Sequence, residues 1–149
     1  MGLYFSTKQP YIPERKHIMI QKTVTYTDID GVEQQDILLF HLDSNDIVDM
    51  LKNGKLQKLS DDLSSDDLSV KTSALENFVD MTYGFRYEEE KVDKKTGARR
   101  MVSRFRHATP EELEEFHKSE AHGKFMLSMY TTQGEADNFV SALLPNVKG

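Results

Sequence analysis

The sequence predicts an α+β fold that is mainly helical, with an N-terminal β-hairpin and a second small hairpin. Apolar and polar residues alternate over residues 17–41, which is the pattern of half-buried strands. The alternation returns over residues 85–107, on both sides of a highly charged segment. In the remainder of the chain, apolar residues recur at the three- and four-residue spacing of helices that bury one face.

Length and composition favour one domain that needs no covalent staples. The chain has 149 residues and no cysteine, and its 19 Lys and Arg against 25 Asp and Glu give a net charge of −6. A chain of this size can bury about 69% of its unfolded surface, which is enough for a core. We expect residues 1–16, which contain two prolines and no periodicity, to form an arm, and residues 17–149 to form a single domain.

The same numbers exclude several classes of function. Without cysteine the chain has no disulfide, thiolate zinc site, iron–sulfur cluster or cysteine nucleophile. Net acidity argues against a general nucleic-acid coat, because phosphate neutralisation needs surplus cations. No apolar run reaches the roughly 18 residues of a membrane span, and the N-terminus does not read as a signal peptide. We therefore expect no nucleic acid and no membrane as partners.

The first hairpin is predicted from strand parity and a turn. Asp30-Gly31 is a strong hairpin turn, and a second apolar run at 37–40 ends the return strand. The side chains that share the apolar face of the first strand are Ile18, Ile20, Val24 and Tyr26.

Two helices and an intervening turn are predicted next. Asp43 or Ser44 can cap a helix that Gly54 ends. Residues 58–69 repeat Ser-Asp-Asp-Leu and are so polar that they read as a turn between helices. A longer helix is expected over about 66–82, with its apolar residues on one face.

The second hairpin, over residues 85–107, is predicted to expose its tip. Residues 87–101 carry so many charges that we expect a dispensable or partner-facing appendage. Its Lys and Arg side chains could touch phosphates or an acidic protein, but the neighbouring Glu88 to Glu90 favour pairing of opposite charges across the strands.

The C-terminal third is predicted to be helical. Thr109 to Glu112 is a capping box with proline at the first helical position. A short helix is expected from about Ser119, although Gly123 inside it is unfavourable. A further capping box at 132–135 opens a last helix, which Pro145 ends.

No arrangement of residues indicates catalysis, a cofactor or a metal. Motifs for phosphate loops, dinucleotides and serine nucleophiles are missing. Asp28 and Asp30 are spaced as at the start of a calcium loop. Such a loop needs glycine at its sixth position, whereas Gly31 is fourth, and the hairpin turn explains these residues. His117 and His122 would point roughly 140° apart on one continuous helix, so we expect no metal between them.

The wide apolar face of the C-terminal helices is the candidate protein-binding surface. Phenylalanine and methionine adapt to degenerate helical partners, although such a stripe equally fits a core. The candidate residues are Phe116, Phe125, Met129, Phe139, Val140, Leu143 and Leu144.

Several blocks of the chain resemble one known family. Residues 22–50 hold a strand, an Asp-Gly turn, a second strand and a helix with an acidic cap. Thr82-Tyr83-Gly84 ends a middle helix. Three further steps complete the pattern, namely Glu112-Leu113 to Phe116, Ser119 to His122, and Ala136 with Phe139 and Pro145. Together they resemble the tail assembly chaperones of long-tailed, siphovirus-type bacteriophages. The arm at 1–16, the enlarged segment 87–101, and His122 in place of an aromatic residue depart from the pattern.

The resemblance implies a non-catalytic, self-associating protein of the host cell cytoplasm that is absent from the mature virion. Such chaperones bind the tape measure protein, keep it soluble and promote polymerisation of the tail tube. Contact with the tail tube protein is implied through an extension made by ribosomal frameshifting. Two other interpretations stay open, namely a structural virion or connector protein of a phage tail and a small metal-binding or enzymatic protein.

Overall fold

The computed structural model describes residues 19–144, which form a four-stranded antiparallel sheet and six helices. The predicted α+β fold is confirmed. The predicted arm at 1–16 and the predicted helix stop at Pro145 lie outside the described residues. The elements are β1 (Ile20–Thr27), β2 (Glu33–Phe40), α1 (Ser44–Lys52), α2 (Lys55–Leu63), α3 (Leu68–Thr82), β3 (Tyr83–Val92), β4 (Arg99–His107), α4 (Pro110–Lys118), α5 (Glu120–Thr131) and α6 (Glu135–Leu143).

The first hairpin is confirmed, and its turn is built from the residues that predicted it. β1 pairs with β2 along its whole length, from Ile20 opposite Phe40 to the turn. The Asp28 carboxylate accepts hydrogen bonds from the backbone N–H groups of Asp30 and Val32, both at 2.9 Å. Gly31 has a φ of 83°, which a residue with a side chain rarely adopts. The carboxylate of Asp28 thus stabilises the turn itself.

The second hairpin is confirmed, and only its base joins the rest of the sheet. β3 and β4 pair from Gly84 opposite His107 to the tip, whereas β2 and β3 pair through two positions only. Gly84 is required at this junction. A Cβ atom there would run into the backbone oxygen of Arg106 and lie 2.6 Å from the ring of Phe105. β2 and β3 do not pair beyond Gly84, and residues 86–101 are all exposed.

The predicted turn between the middle helices is only partly confirmed, because α2 extends to Leu63 and the turn is confined to residues 64–67, where Asp67 caps α3. Gly54 adopts a left-handed conformation with φ of 79°, so the chain leaves α1 and re-enters a helix at once. Leu56, Leu59 and Leu63 then fall on one side and pack toward the core. The repeated serines and aspartates lie around this leucine stripe and mask it in the sequence. The next helix, α3, begins two residues later than predicted and ends at the predicted Thr82.

The C-terminal helices form where they were predicted, with one difference at a cap. Thr109 and Glu112 make the reciprocal capping box of α4. Ser119 is extended, ends α4 and caps α5, so the chain bends sharply between these helices. The predicted capping box at 132–135 is wrong. Gly134 precedes α6 in a left-handed conformation without a side-chain cap, and Thr132 instead ends α5.

The core lies between the sheet and helices α3, α5 and α6. Phe40 from β2 stacks on Phe125 from α5, with ring centroids 5.1 Å apart. It meets Phe139 from α6 edge-on at 5.0 Å, and Phe78 from α3 meets Phe139 at 5.9 Å. These offset and edge-to-face contacts are the favourable arrangements of aromatic rings. The aromatic cluster therefore fixes the positions of the helices whose outer edges form the surface grooves.

Candidate functional site

Six of the seven candidate binding residues are buried inside the protein. Phe116, Phe125, Met129, Phe139, Leu143 and Leu144 are each no more than 8% exposed, and only Val140 is partly exposed. The alternative that these side chains fill the core therefore describes most of the stripe. The apolar stripe is wide because its side chains pack against the core on several sides at once. Contact of these residues with a partner stays a prediction.

One flank of α6 nevertheless borders a surface groove. Its volume is about 590 Å³, and α2 forms the opposite wall. We call it the α6 groove and define it by Leu51, Leu56, Leu59, Leu63, Val140 and Leu144, with polar residues at the rim. Leu51 is 59% exposed. Two candidate residues, Val140 and Leu144, thus line the α6 groove.

A second cavity continues the α6 groove along the helix. It has a volume of about 260 Å³ and shares Leu63 and Asp137 with the first. Leu68 at the start of α3 and Tyr130 near the end of α5 form its other side, and they are 72% and 42% exposed. The two cavities together give one apolar surface that runs beside the last helix.

A cleft separates the two hairpins on another side of the molecule. Its volume is about 400 Å³, and its walls are β2, β3 and the first turns of α4. The rings of Tyr83 and Phe116 stack at its base with centroids 3.9 Å apart. Ile37 and Phe85 also line the cleft, and its acidic lining residues are Asp36, Glu111, Glu112 and Glu115. An apolar floor with an acidic rim is complementary to an apolar segment flanked by Lys or Arg.

One of these rim carboxylates is strongly held. Arg106 donates two hydrogen bonds to Glu112, at 2.7 and 2.8 Å, and its guanidinium lies 4.8 Å from the ring centre of Phe85. The bonds from Arg106, followed by the backbone N–H of Thr109, lower the pKa of Glu112 to about 2. Burial, followed by the charges of Glu112 and Asp36, raises the pKa of Tyr83. The cleft thus combines an uncharged aromatic floor with carboxylates at its rim, one of which is paired with Arg106.

The basic residues of the second hairpin are partly neutralised by its acidic residues. Arg104 bonds Glu89 at 2.9 Å and Arg99 bonds Glu90 at 3.2 Å, both across the strands. The predicted pairing of opposite charges is confirmed for these two arginines. Such pairing weakens the field that a phosphate would need.

A third feature contains the residues best suited to hold a metal. Asp80 from α3, His117 from α4 and His122 from α5 each offer one donor atom, and these atoms lie within 4.8 Å of one another. Nε2 of His117 is 2.8 Å from Oδ1 of Asp80. Burial, together with the neighbouring His117, lowers the pKa of His122. The prediction that the two histidines point apart is wrong, because Ser119 breaks the assumed continuous helix.

The architecture and its surfaces define a class of protein. The chain is a small α+β protein with apolar surface depressions, and carboxylates rim the cleft between the hairpins. Such features suit the binding of other polypeptides. Within residues 19–144, no helix combines the length and apolar character needed to cross a membrane.

Comparison with protein families places the chain within this class. A family model described as phage tail assembly chaperone matches residues 19–147, which is most of the sequence. The chain therefore belongs to the phage tail assembly chaperone family, as the resemblance indicated. Searches of curated proteins and of solved structures found no match.

Proposed function

We propose that this tail assembly chaperone binds the tape measure protein, keeps it soluble and promotes polymerisation of the tail tube around it. In this role the protein is not an enzyme and is absent from the mature virion. Membership of the family supports an assembly role, and the observation that points to the binding surface is the α6 groove.

The chemistry of the α6 groove suits a helical client. A long helical protein whose apolar stripe has no partner aggregates, because large exposed apolar patches associate. A groove receives such a stripe through anchors spaced at three and four residues. Leu51, Leu68 and Tyr130 provide exposed apolar contacts along the length of α6, and the serines at the rim tolerate a varied sequence.

The buried candidate residues support this surface from below. Phe139 and Leu143 pack into the core and hold α6 in position, while Val140 and Leu144 reach the groove. Phe116, Phe125 and Met129 belong to the same core. In this proposal the C-terminal helices present the binding surface, and most of their apolar residues give it shape instead of touching the client.

The remaining parts of the proposed function rest on the family resemblance. Recruitment of the tail tube protein is assigned to a frameshifted extension, and the protein works in the host cell cytoplasm. Self-association is supported by β1, which lies at one end of the strand order and pairs with β2 alone in the described sheet.

Two exposed leucines allow a sharp test of the α6 groove. Leu51→Glu places a charge in the groove, and we expect it to abolish co-purification with co-expressed tape measure protein while the chaperone stays folded. Leu127→Glu is the matched control, because Leu127 is 57% exposed against 59% for Leu51 and is not a lining residue of the groove. If folded Leu51→Glu and Leu68→Glu variants both keep the tape measure protein soluble, the groove is not the binding surface.

The competing interpretation, a structural virion or connector protein, has a separate test. Mass spectrometry of purified particles should not find the chain if it acts only during assembly. A stoichiometric amount in mature particles would favour the structural role and contradict the chaperone proposal.

A further inference from the structure

We propose that Asp80, His117 and His122 form a binding site for a divalent transition-metal ion of the zinc type. None of the three residues lines the α6 groove, the cavity that continues it or the cleft between the hairpins. It joins three helices that are not held together by any covalent bond, since the chain has no cysteine.

The three donors come together because of the fold. Asp80 lies in the last turns of α3, His117 at the end of α4 and His122 in the first turn of α5. Ser119 is extended between the two histidines and receives the backbone N–H of His122 on its hydroxyl at 3.1 Å. This cap turns α5 back so that the imidazole rings lie 5.0 Å apart.

The surrounding side chains hold the imidazoles in place. The ring of His122 packs edge-on against Phe116 with centroids 4.7 Å apart, and Phe116 is itself buried in the core. His117 is oriented by its bond to Asp80. Preorganised ligands lose little freedom when a metal binds, so this arrangement favours binding over a set of mobile surface histidines.

The ligand types and distances fit zinc. Two imidazole nitrogens and one carboxylate oxygen, with water in the fourth position, form a common open zinc site. Tetrahedral bonds of zinc place ligand atoms about 3.3 Å apart. The donors here lie within 4.8 Å, and the bond between His117 and Asp80 is 2.8 Å, so adjustments of an ångström or two give the required geometry. The partial exposure of all three residues leaves a path for the ion.

Another histidine–aspartate pair in the protein shows what an ordinary structural pair looks like. His107 lies 3.2 Å from Asp46 through Nε2, and its Nδ1 lies 3.0 Å from the backbone oxygen of Met81. Both nitrogens of this imidazole are therefore engaged by oxygen atoms, and within the described residues the pair belongs to no cluster of three donors. The pair provides a matched control for binding by a histidine and a carboxylate alone.

Occupancy of the site would tie the acidic cleft to the core. α4 carries both His117 and the rim glutamates Glu111, Glu112 and Glu115, whereas α3 contributes Phe78 and Val79 to the core. A metal between α3, α4 and α5 would therefore restrict the movement of the cleft wall.

The experiment is a titration of untagged, full-length protein with zinc chloride. Binding is measured by calorimetry, and the change in stability is measured by thermal unfolding. We expect one saturable site and a higher melting temperature with zinc. Asp80→Asn, His117→Gln and His122→Gln should each weaken binding by at least the roughly 10–100-fold that follows loss of an outer-sphere partner. His107→Gln should bind zinc like the unaltered protein.

Cobalt gives a readout that does not depend on stability. Co²⁺ bound by two imidazoles and a carboxylate should show visible absorption bands of a four- or five-coordinate ion, and these bands should disappear in Asp80→Asn. The inference is wrong if the unaltered protein shows no saturable binding at micromolar concentration. It is also wrong if the three variants bind as tightly as His107→Gln.

Discussion

Arg106 and Glu112 form a two-point ion pair that fastens the end of β4 to the first turn of α4, with N–O distances of 2.7 and 2.8 Å. Glu112 also accepts the backbone N–H of Thr109 at 2.9 Å and thereby completes the capping box. One carboxylate thus serves a strand, a helix cap and the rim of the cleft between the hairpins. Arginine suits this position because its fork matches both oxygen atoms.

This pair makes stability depend on acid in a defined direction. The pKa of Glu112 falls from 4.5 to about 2 on folding, so its ionised form is favoured by the native state. Its contribution is complete above the unfolded pKa and is lost as pH falls through about 2. Glu112→Gln should therefore lower the melting temperature at neutral pH, and the difference from the unaltered protein should shrink as pH falls toward about 2.

Thermal unfolding over a series of pH values measures this effect. Glu114→Gln is the control, because Glu114 is exposed and its contact with Lys118 is long, at 4.0 Å. We expect little change from it at any pH. A constant difference between Glu112→Gln and the unaltered protein down to the lowest pH would contradict the assignment.

Features that depend on neighbouring residues were predictable from the sequence, whereas features that depend on distant residues were not. Asp30-Gly31 and the capping box at Thr109 are local signals, and both formed as predicted. The α6 groove could not be foreseen, because Leu56 and Val140 are far apart in the chain and meet only through the fold.

Two errors had specific physical causes. The aspartates and serines of α2 hide a leucine stripe that only burial against α3 reveals, so the sequence predicts a turn there. The predicted angle between His117 and His122 holds only on one continuous helix, whereas the hydroxyl of Ser119 accepts the backbone N–H of His122 at the start of a new helix. A serine two residues after a histidine, followed at once by glutamate, was the available signal for that break.

Gly84 and Gly123 should respond in opposite ways to the same substitution. Gly84→Ala forces a Cβ atom into the backbone of β4, where it would also lie 2.9 Å from Cα of His107. We expect a loss of about 1–3 kcal/mol, or more if the junction of the hairpins cannot move. Gly123 lies within α5 with no neighbouring atom in reach of a Cβ, so Gly123→Ala should gain about 0.5–1 kcal/mol.

Urea unfolding of the two alanine variants gives both free energies in one experiment. Similar midpoints for Gly84→Ala and the unaltered protein would show that the strands separate easily at this point. The size of the loss therefore also measures how rigidly the second hairpin is attached.

The tip of the second hairpin should be dispensable for folding. Residues 91–101 are all exposed, and the ion pair between Arg99 and Glu90 lies at the surface, where it adds little. Glu89 lies opposite Val102, so replacing residues 90–101 by Asn-Gly keeps the register with a two-residue turn. We expect an unchanged melting temperature within a few degrees.

The same shortened protein tests whether the tip meets a partner. If co-purification with tape measure protein is lost while the melting temperature is kept, the tip is a binding appendage. If both are kept, the segment is dispensable for folding and for this interaction. A collapse of the melting temperature would show instead that the tip is structural.

We expect the protein to self-associate through β1. This strand lies at one end of the sheet, and Thr23 and Thr25 point their side chains to solvent along it. Within residues 19–144, β1 pairs only with β2, and an edge of eight residues is a template for another strand. Lysine on an edge is a common barrier to such pairing. Light scattering coupled to size exclusion should show more than one subunit at micromolar concentration.

The double variant Thr23→Lys, Thr25→Lys should shift the protein toward monomer without unfolding it. Lysines at exposed Ser69 and Ser73 of α3 provide the control for added charge. A strict monomer across the concentration range would exclude self-association, and an oligomer that survives the double variant would place the interface away from β1.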